Sequence, residues 1–173
     1  AEAAATLVGF LTAAELAETK CSCQSEAFTH LSREPGLFLR KARIVGAYYA
    51  RLSELYRTVR SGETAEKPAL ARKKALFAAL EQECKAIRPK PKSFNPCPGA
   101  NNNAGIAFDM TYARHYPLLY ELFLAQGRDL KATIDAVKGA KASSEEAVAR
   151  QLQDLIAQQK KEQRDCESVR DEE

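Results

Sequence analysis

The stretch RPKPKSFNPCPGANNN, residues 88–103, decides how the chain is read. It holds four of the seven prolines. Proline lacks a backbone N–H and pushes the residue before it out of the helical region, so neither flanking helix can cross the stretch and the chain is divided in two. Its length exceeds the ~12 residues of an ordinary connection, which points to a rigid extended connector or to a docking segment. It also closes a run of positive charge at Arg88, Lys90 and Lys92, and carries an aromatic ring at Phe94 and a thiol at Cys97.

Upstream, residues 37–60 give the clearest helical pattern. Val45, Tyr48, Leu52, Leu55 and Val59 recur at three- and four-residue spacing, and Phe38, Ile44, Tyr49 and Tyr56 widen the apolar face. Ser61-Gly62 ends this helix, Gly being favoured just past a terminus. Pro68 suits a first helical turn, and Leu70, Phe77, Leu80, Cys84 and Ile87 repeat the spacing up to Arg88. The two segments are expected to pair as an antiparallel hairpin with Phe38, Tyr48, Leu52, Phe77 and Leu80 as its core. Nearer the start, Thr12 and Glu15 form a capping box that opens a weaker helix over residues 12–31, and Glu34-Pro35-Gly36 reads as a turn.

Downstream, residues 105–126 predict another helix, kinked or divided at Pro117. Phe108, Tyr112, Tyr116, Tyr120 and Leu124 recur every four residues along it and make an aromatic stripe, suited to a packed core or to a partly wet interface. Gly127 closes that helix. A short one follows over residues 129–138, and Ser143-Ser-Glu-Glu caps the last, whose apolar repeat fades after Gln158.

Composition agrees with this pattern. The 173 residues are 45% apolar and 28% charged, rich in good helix formers and without Trp. The fold class is therefore all-α: an antiparallel helical bundle of four main helices plus one short helix, with a long Pro-rich loop near residues 88–103. The length fits a single helical domain over residues 1–173, whose last ~12 residues are expected to fray. No apolar run reaches the ~18 to 20 residues of a transmembrane helix, and a soluble protein is expected. The opening AEAAA suits either an exported protein cut by a signal peptidase or an intracellular one that has lost its initiator Met.

Net charge is +3, unevenly spread: residues 1–35 carry −3, residues 36–92 carry +9 and residues 93–173 carry −3. The basic middle, including Arg40, Lys41, Arg43, Arg72, Lys73 and Lys74, would meet the acidic flanks of the same molecule or an acidic face on a protein partner. Nucleic acid is not expected as a partner, because no recognition module or aromatic-basic interleaving accompanies the charge.

The five cysteines are an odd number, so at least one is free or pairs with another chain. Cys84 with Cys97 would staple a helix end to the Pro-rich stretch, and Cys23 or Cys21 with Cys166 would join the terminal helices; the alternative is that all five are reduced.

Chemical signatures are sparse. Asp109, Tyr112 and His115 fall one helical turn apart, which makes His115 the candidate for acid-base work. Cys21, Cys23 and His30 offer soft ligands but lack a fourth, so no metal is assigned. No glycine pattern suggests a phosphate loop and no cofactor is implied. The function that follows is a non-catalytic interaction or scaffold protein, an accessory subunit of a larger assembly. Its partner-binding candidates are Arg88, Lys90, Lys92, Phe94, Tyr112, Tyr116 and Tyr120. The alternatives are an exported, disulfide-stabilised binding or inhibitor protein of immunity type, and an enzyme using His115.

Overall fold

The computed structural model describes the backbone of residues 1–170 and the side chains of residues 1–161. Helices are the regular elements of the described residues, as the all-α reading requires: α1 Glu2–Cys21, α2 Glu26–Leu31, α3 Glu34–Arg60, α4 Glu66–Lys85, α5 Asn103–Ala113, α6 Tyr116–Ala125, α7 Leu130–Gly139 and α8 Glu145–Arg170. These eight segments exceed the four main helices and one short one expected: six stretches along the chain read as helical, and two of them, residues 12–31 and 105–126, are each broken. The chain forms two compact units, Ala1–Tyr116 and Pro117–Glu173.

In the first unit α3 is the central element, packing against α4 and α5. Its apolar stripe is buried as the spacing predicts, and Phe38, Tyr48, Leu52, Phe77 and Leu80 all lie in the core. The pairing with α4 is antiparallel. Lys73 lies over Tyr56, Tyr48 bonds Glu83 and Arg40 bonds the carbonyl of Arg88, so partners ascend one helix as they descend the other. Helix α5 runs against α3 in the same sense, with Tyr56 on Asn103 and Lys41 on Asp109.

Three local expectations change. Helix α1 starts at Glu2 rather than Thr12, since its Ala-rich first turns need no box to be helical, and it stops at Cys21, where Ser22 takes φ 76°. Helix α2 has its own cap, Ser25 Oγ accepting from Phe28 N at 3.1 Å. Glu34-Pro35-Gly36 is no turn but the first turn of α3, where proline's missing N–H costs nothing. The short helix and the cap of the last one form as expected: α7 starts behind Asp129, whose side chain accepts from Ala132 N, and Ser144 accepts from Ala147 N at the start of α8.

In the second unit Leu119, Leu122, Phe123, Leu152 and Ile156 are buried. No helix among the described residues is long and apolar enough to cross a membrane. The expected fraying at the C-terminus and the side chain of Cys166 lie outside the described residues.

Candidate functional site

The site is the segment between α4 and α5, and what holds it is a set of charges taken out of water. Glu34, at 0% exposure, accepts hydrogen bonds from the backbone N–H of Lys92 at 3.2 Å and of Ser93 at 3.1 Å. His30 Nδ1, one turn earlier across the α2–α3 junction, stands 3.2 Å from the same carboxylate. A buried carboxylate survives only if donors replace its water, and two loop amides do so here.

Lys41, two turns along α3, performs the complementary task. Its ammonium donates to the carbonyl of Asn95 at 2.8 Å and lies 3.0 Å from Asp109 Oδ2, as a charge contact rather than an aligned hydrogen bond. The two side chains are only 7% and 11% exposed. One helix face thus grips the loop by a pair of N–H groups through an anion and by a carbonyl through a cation.

Between these grips Phe94 packs on Phe38 and Phe10, with ring centroids 5.0 and 5.8 Å apart. Phe38 in turn meets Tyr116 at 4.6 Å, and the Tyr116 hydroxyl donates to Pro35 O at 3.1 Å. The Lys41 ammonium sits within 6 Å of the Phe38 and Phe94 ring centroids, at 5.8 and 5.9 Å. Pro91 is buried beside a cis Arg88–Pro89 bond.

The ends of the loop are fixed as well. Cys84 and Cys97 form a disulfide with Cα atoms 5.2 Å apart, as the staple reading expects. Asn101 Nδ2 donates to Glu81 Oε2 at 3.2 Å, and Asn102 caps α5 by accepting from Gly105 N. Below the loop, the Tyr48 hydroxyl donates to Glu83 Oε1 at 2.5 Å; that bond, with burial, holds the phenol above its ordinary pKa.

The loop is pinned to α3 through its middle, where Pro91 is buried and Phe94 half-buried while Lys92, Ser93 and Asn95 stay at the surface. Its basic residues face water. Arg88 is exposed, with its guanidinium on the carbonyls of Lys85 and Ile87. Lys90 is exposed, and Lys92 extends its ammonium to within 3.3 Å of Glu26 while its amide is held by Glu34.

The other sequence candidates are dispersed. Tyr116 is fully buried and cannot contact a partner, and Phe94 is committed to the aromatic cluster. Tyr112 is half-buried against Phe108, whose ring is 64% exposed, and Tyr120 meets Phe123 in the second unit. The stripe is interrupted because α5 ends at Ala113 and α6 begins at Tyr116. His115 lies in that interruption, and Asp109 is occupied by Lys41. Cys21 and Cys23 are free and exposed, so Cys23 stands apart from the second staple as far as the described residues extend. Neither these cysteines with His30 nor any other group of three or more such ligands among the described residues is placed to hold a metal.

Sequence reasoning puts Glu34 in a turn, Lys41 in the basic middle and Asp109 beside His115, and foresees none of their contacts around the loop. The one available signal was Pro35, which as a helix N-terminal residue would have placed Glu34 at the start of α3 rather than in a turn.

No curated protein and no solved structure matches the chain. The Aminopep family model, described as "Putative aminopeptidase", matches residues 1–152, and the chain belongs to that family.

Proposed function

We propose that this chain is a non-catalytic helical scaffold, an accessory module of a peptidase-family assembly, which presents the basic edge of the loop to an acidic protein face. The observation that supports this is how the buried polar groups are used. Glu34 is saturated by two loop amides and Lys41 is divided between a carbonyl and Asp109, so both serve to fix the loop. Meanwhile Arg88, Lys90 and Lys92 remain at the surface on a rigid support, where opposite charge on a partner would be felt over about one Debye length.

A pull-down from native extract with the double variant Lys90→Glu, Lys92→Glu tests the reading. A partner held at low salt is expected to be lost from the variant and weakened by added salt, while helicity stays unchanged. Equal capture by both proteins would contradict it.

Family membership favours a second reading, in which the chain itself removes N-terminal residues from peptides. A panel of aminoacyl anilides and dipeptides, with and without divalent zinc, separates the two. The scaffold reading expects no turnover; sustained turnover lost on His30→Ala or His115→Ala would replace it. The Cys84–Cys97 bond supports placing either activity in an oxidising compartment.

A further inference from the structure

The pinned loop carries positive charge that nothing around it neutralises. No Asp or Glu occurs between Glu83 and Asp109, and neither Arg88 nor Lys90 pairs with a carboxylate among the described residues. Arg40 joins them from α3. Its exposed guanidinium, likewise without a carboxylate among the described residues, donates to the carbonyl of Arg88 at 2.9 Å. Lys92 completes the row, and its carboxylate contact, Glu26 at 3.3 Å, joins side chains that are 62% and 90% exposed. A pair so open to water is weak and yields to a competing carboxylate.

The backbone of the same stretch offers a partner little. Pro89 and Pro91 have no N–H, and those of Lys92 and Ser93 are turned onto Glu34, so among residues 89–93 only Lys90 has an amide left to donate. A strand added alongside needs a run of N–H and C=O groups, and the carbonyls of Arg88 and Asn95 already accept from Arg40 and Lys41. An apolar anchor is missing too, since Pro91 is buried and Phe94 packs against Phe10 and Phe38. With Phe94 so engaged, the loop has no aromatic face on which a nucleic-acid base would stack. The contact already present, Lys92 on Glu26, is with a carboxylate.

On the scaffold reading given above, we infer that Arg40, Arg88, Lys90 and Lys92 together bind a flexible peptide segment rich in Asp and Glu, recognising its charge and neither its backbone nor the order of its residues. Side-chain ammonium and guanidinium groups meet its carboxylates one by one above a loop that does not move. Salt opposes such binding, because the screening length falls from about 30 Å at about 0.01 M to about 8 Å at about 0.15 M.

Fluorescence anisotropy of labelled probes with the full chain tests this. The probes are a short L-peptide alternating Glu and Gly, its all-D form, the matching Gln-Gly peptide and a single-stranded oligothymidylate. Both acidic peptides are expected to bind equally at low salt, to bind about tenfold more weakly at the higher salt, and to lose binding to the double variant Lys90→Glu, Lys92→Glu. The Gln-Gly peptide is expected not to bind. Binding of the L-form alone, binding of the Gln-Gly peptide as well, tighter binding of the oligothymidylate, or no binding of either acidic peptide would overturn the inference. If neither acidic peptide binds while native extract yields a partner that the double variant loses, the scaffold reading stands and only the partner's chemistry falls. Bound acidic peptides with no such partner in extract sustain the inference and remove the scaffold reading alone.

Discussion

A carboxylate shut off from water has to be held by donors, and Glu34 is held by two from a loop almost sixty residues away along the chain. Replacing it by Ala would leave the Lys92 and Ser93 amides without their acceptor in a half-buried setting, at a cost of about 3 kcal/mol. Urea unfolding of Glu34→Ala should show a lower midpoint with little change in slope, and Glu34→Gln a smaller loss. Gly105 makes a different demand, because a Cβ there would lie 1.9 Å from Ala100 O, which is backbone and cannot swing aside. Gly105→Ala is expected to destabilise by about 2 kcal/mol despite Ala's better helix propensity, read as a fall in Tm. At Tyr48 the hydrogen bond to Glu83, reinforced by burial, raises the phenol above 10.0. A raised folded-state value means that the stabilisation is complete below the unfolded tyrosine's pKa and is lost as pH climbs through the folded one. Unfolding free energy should therefore fall more steeply above pH 10 in the wild type than in Tyr48→Phe, which costs about 1 kcal/mol at neutral pH.

At the scale of elements, the parts legible in the sequence are those set by repeating local pattern. The stripe of α3, the break at residues 88–103, the division near Pro117, the short helix behind Asp129 and the cap at Ser144 all follow from neighbours within one or two turns. What escaped reading depends on distant partners or on conformations without a pattern. Nothing around Ser22 announces a positive φ, and so α1 and α2 read as one helix. Nothing in Glu34-Pro35 or in Lys41 tells that their partners are the amides and carbonyl of a proline-rich loop. The tyrosine spacing is real, yet the interruption between α5 and α6 sends Tyr116 inward while Tyr112 stays half-exposed. The Cys84–Cys97 staple was legible because one cysteine ends a helix and the other sits in the break. It closes a loop of separation 13, for which chain-entropy reasoning gives about 3 kcal/mol. Chemical denaturation of the Cys84→Ser, Cys97→Ser double variant should show a loss of that order; an unchanged midpoint would remove the staple from the account of stability.

For the whole molecule, charge and division matter most. The central +9 of residues 36–92 is partly turned inward, at Lys41, and partly left outside, at Arg88, Lys90 and Lys92. Every grip on the loop, Glu34, Lys41 with Asp109, the aromatic cluster and the disulfide, lies inside the unit Ala1–Tyr116. A protein of residues 1–116 is therefore expected to unfold in one cooperative thermal transition, and a broad transition without a baseline would contradict its independence. The claim on which the rest depends is that the buried charges of α3 are spent on holding the loop rigid. Amide hydrogen exchange of the full chain measures it most directly. Lys92 and Ser93 should exchange on the order of a hundredfold more slowly than an unstructured chain, the factor that corresponds to about 3 kcal/mol of holding energy, and should lose that protection in Glu34→Ala. Unprotected amides at both positions in the wild type would show that Glu34 does not hold the loop.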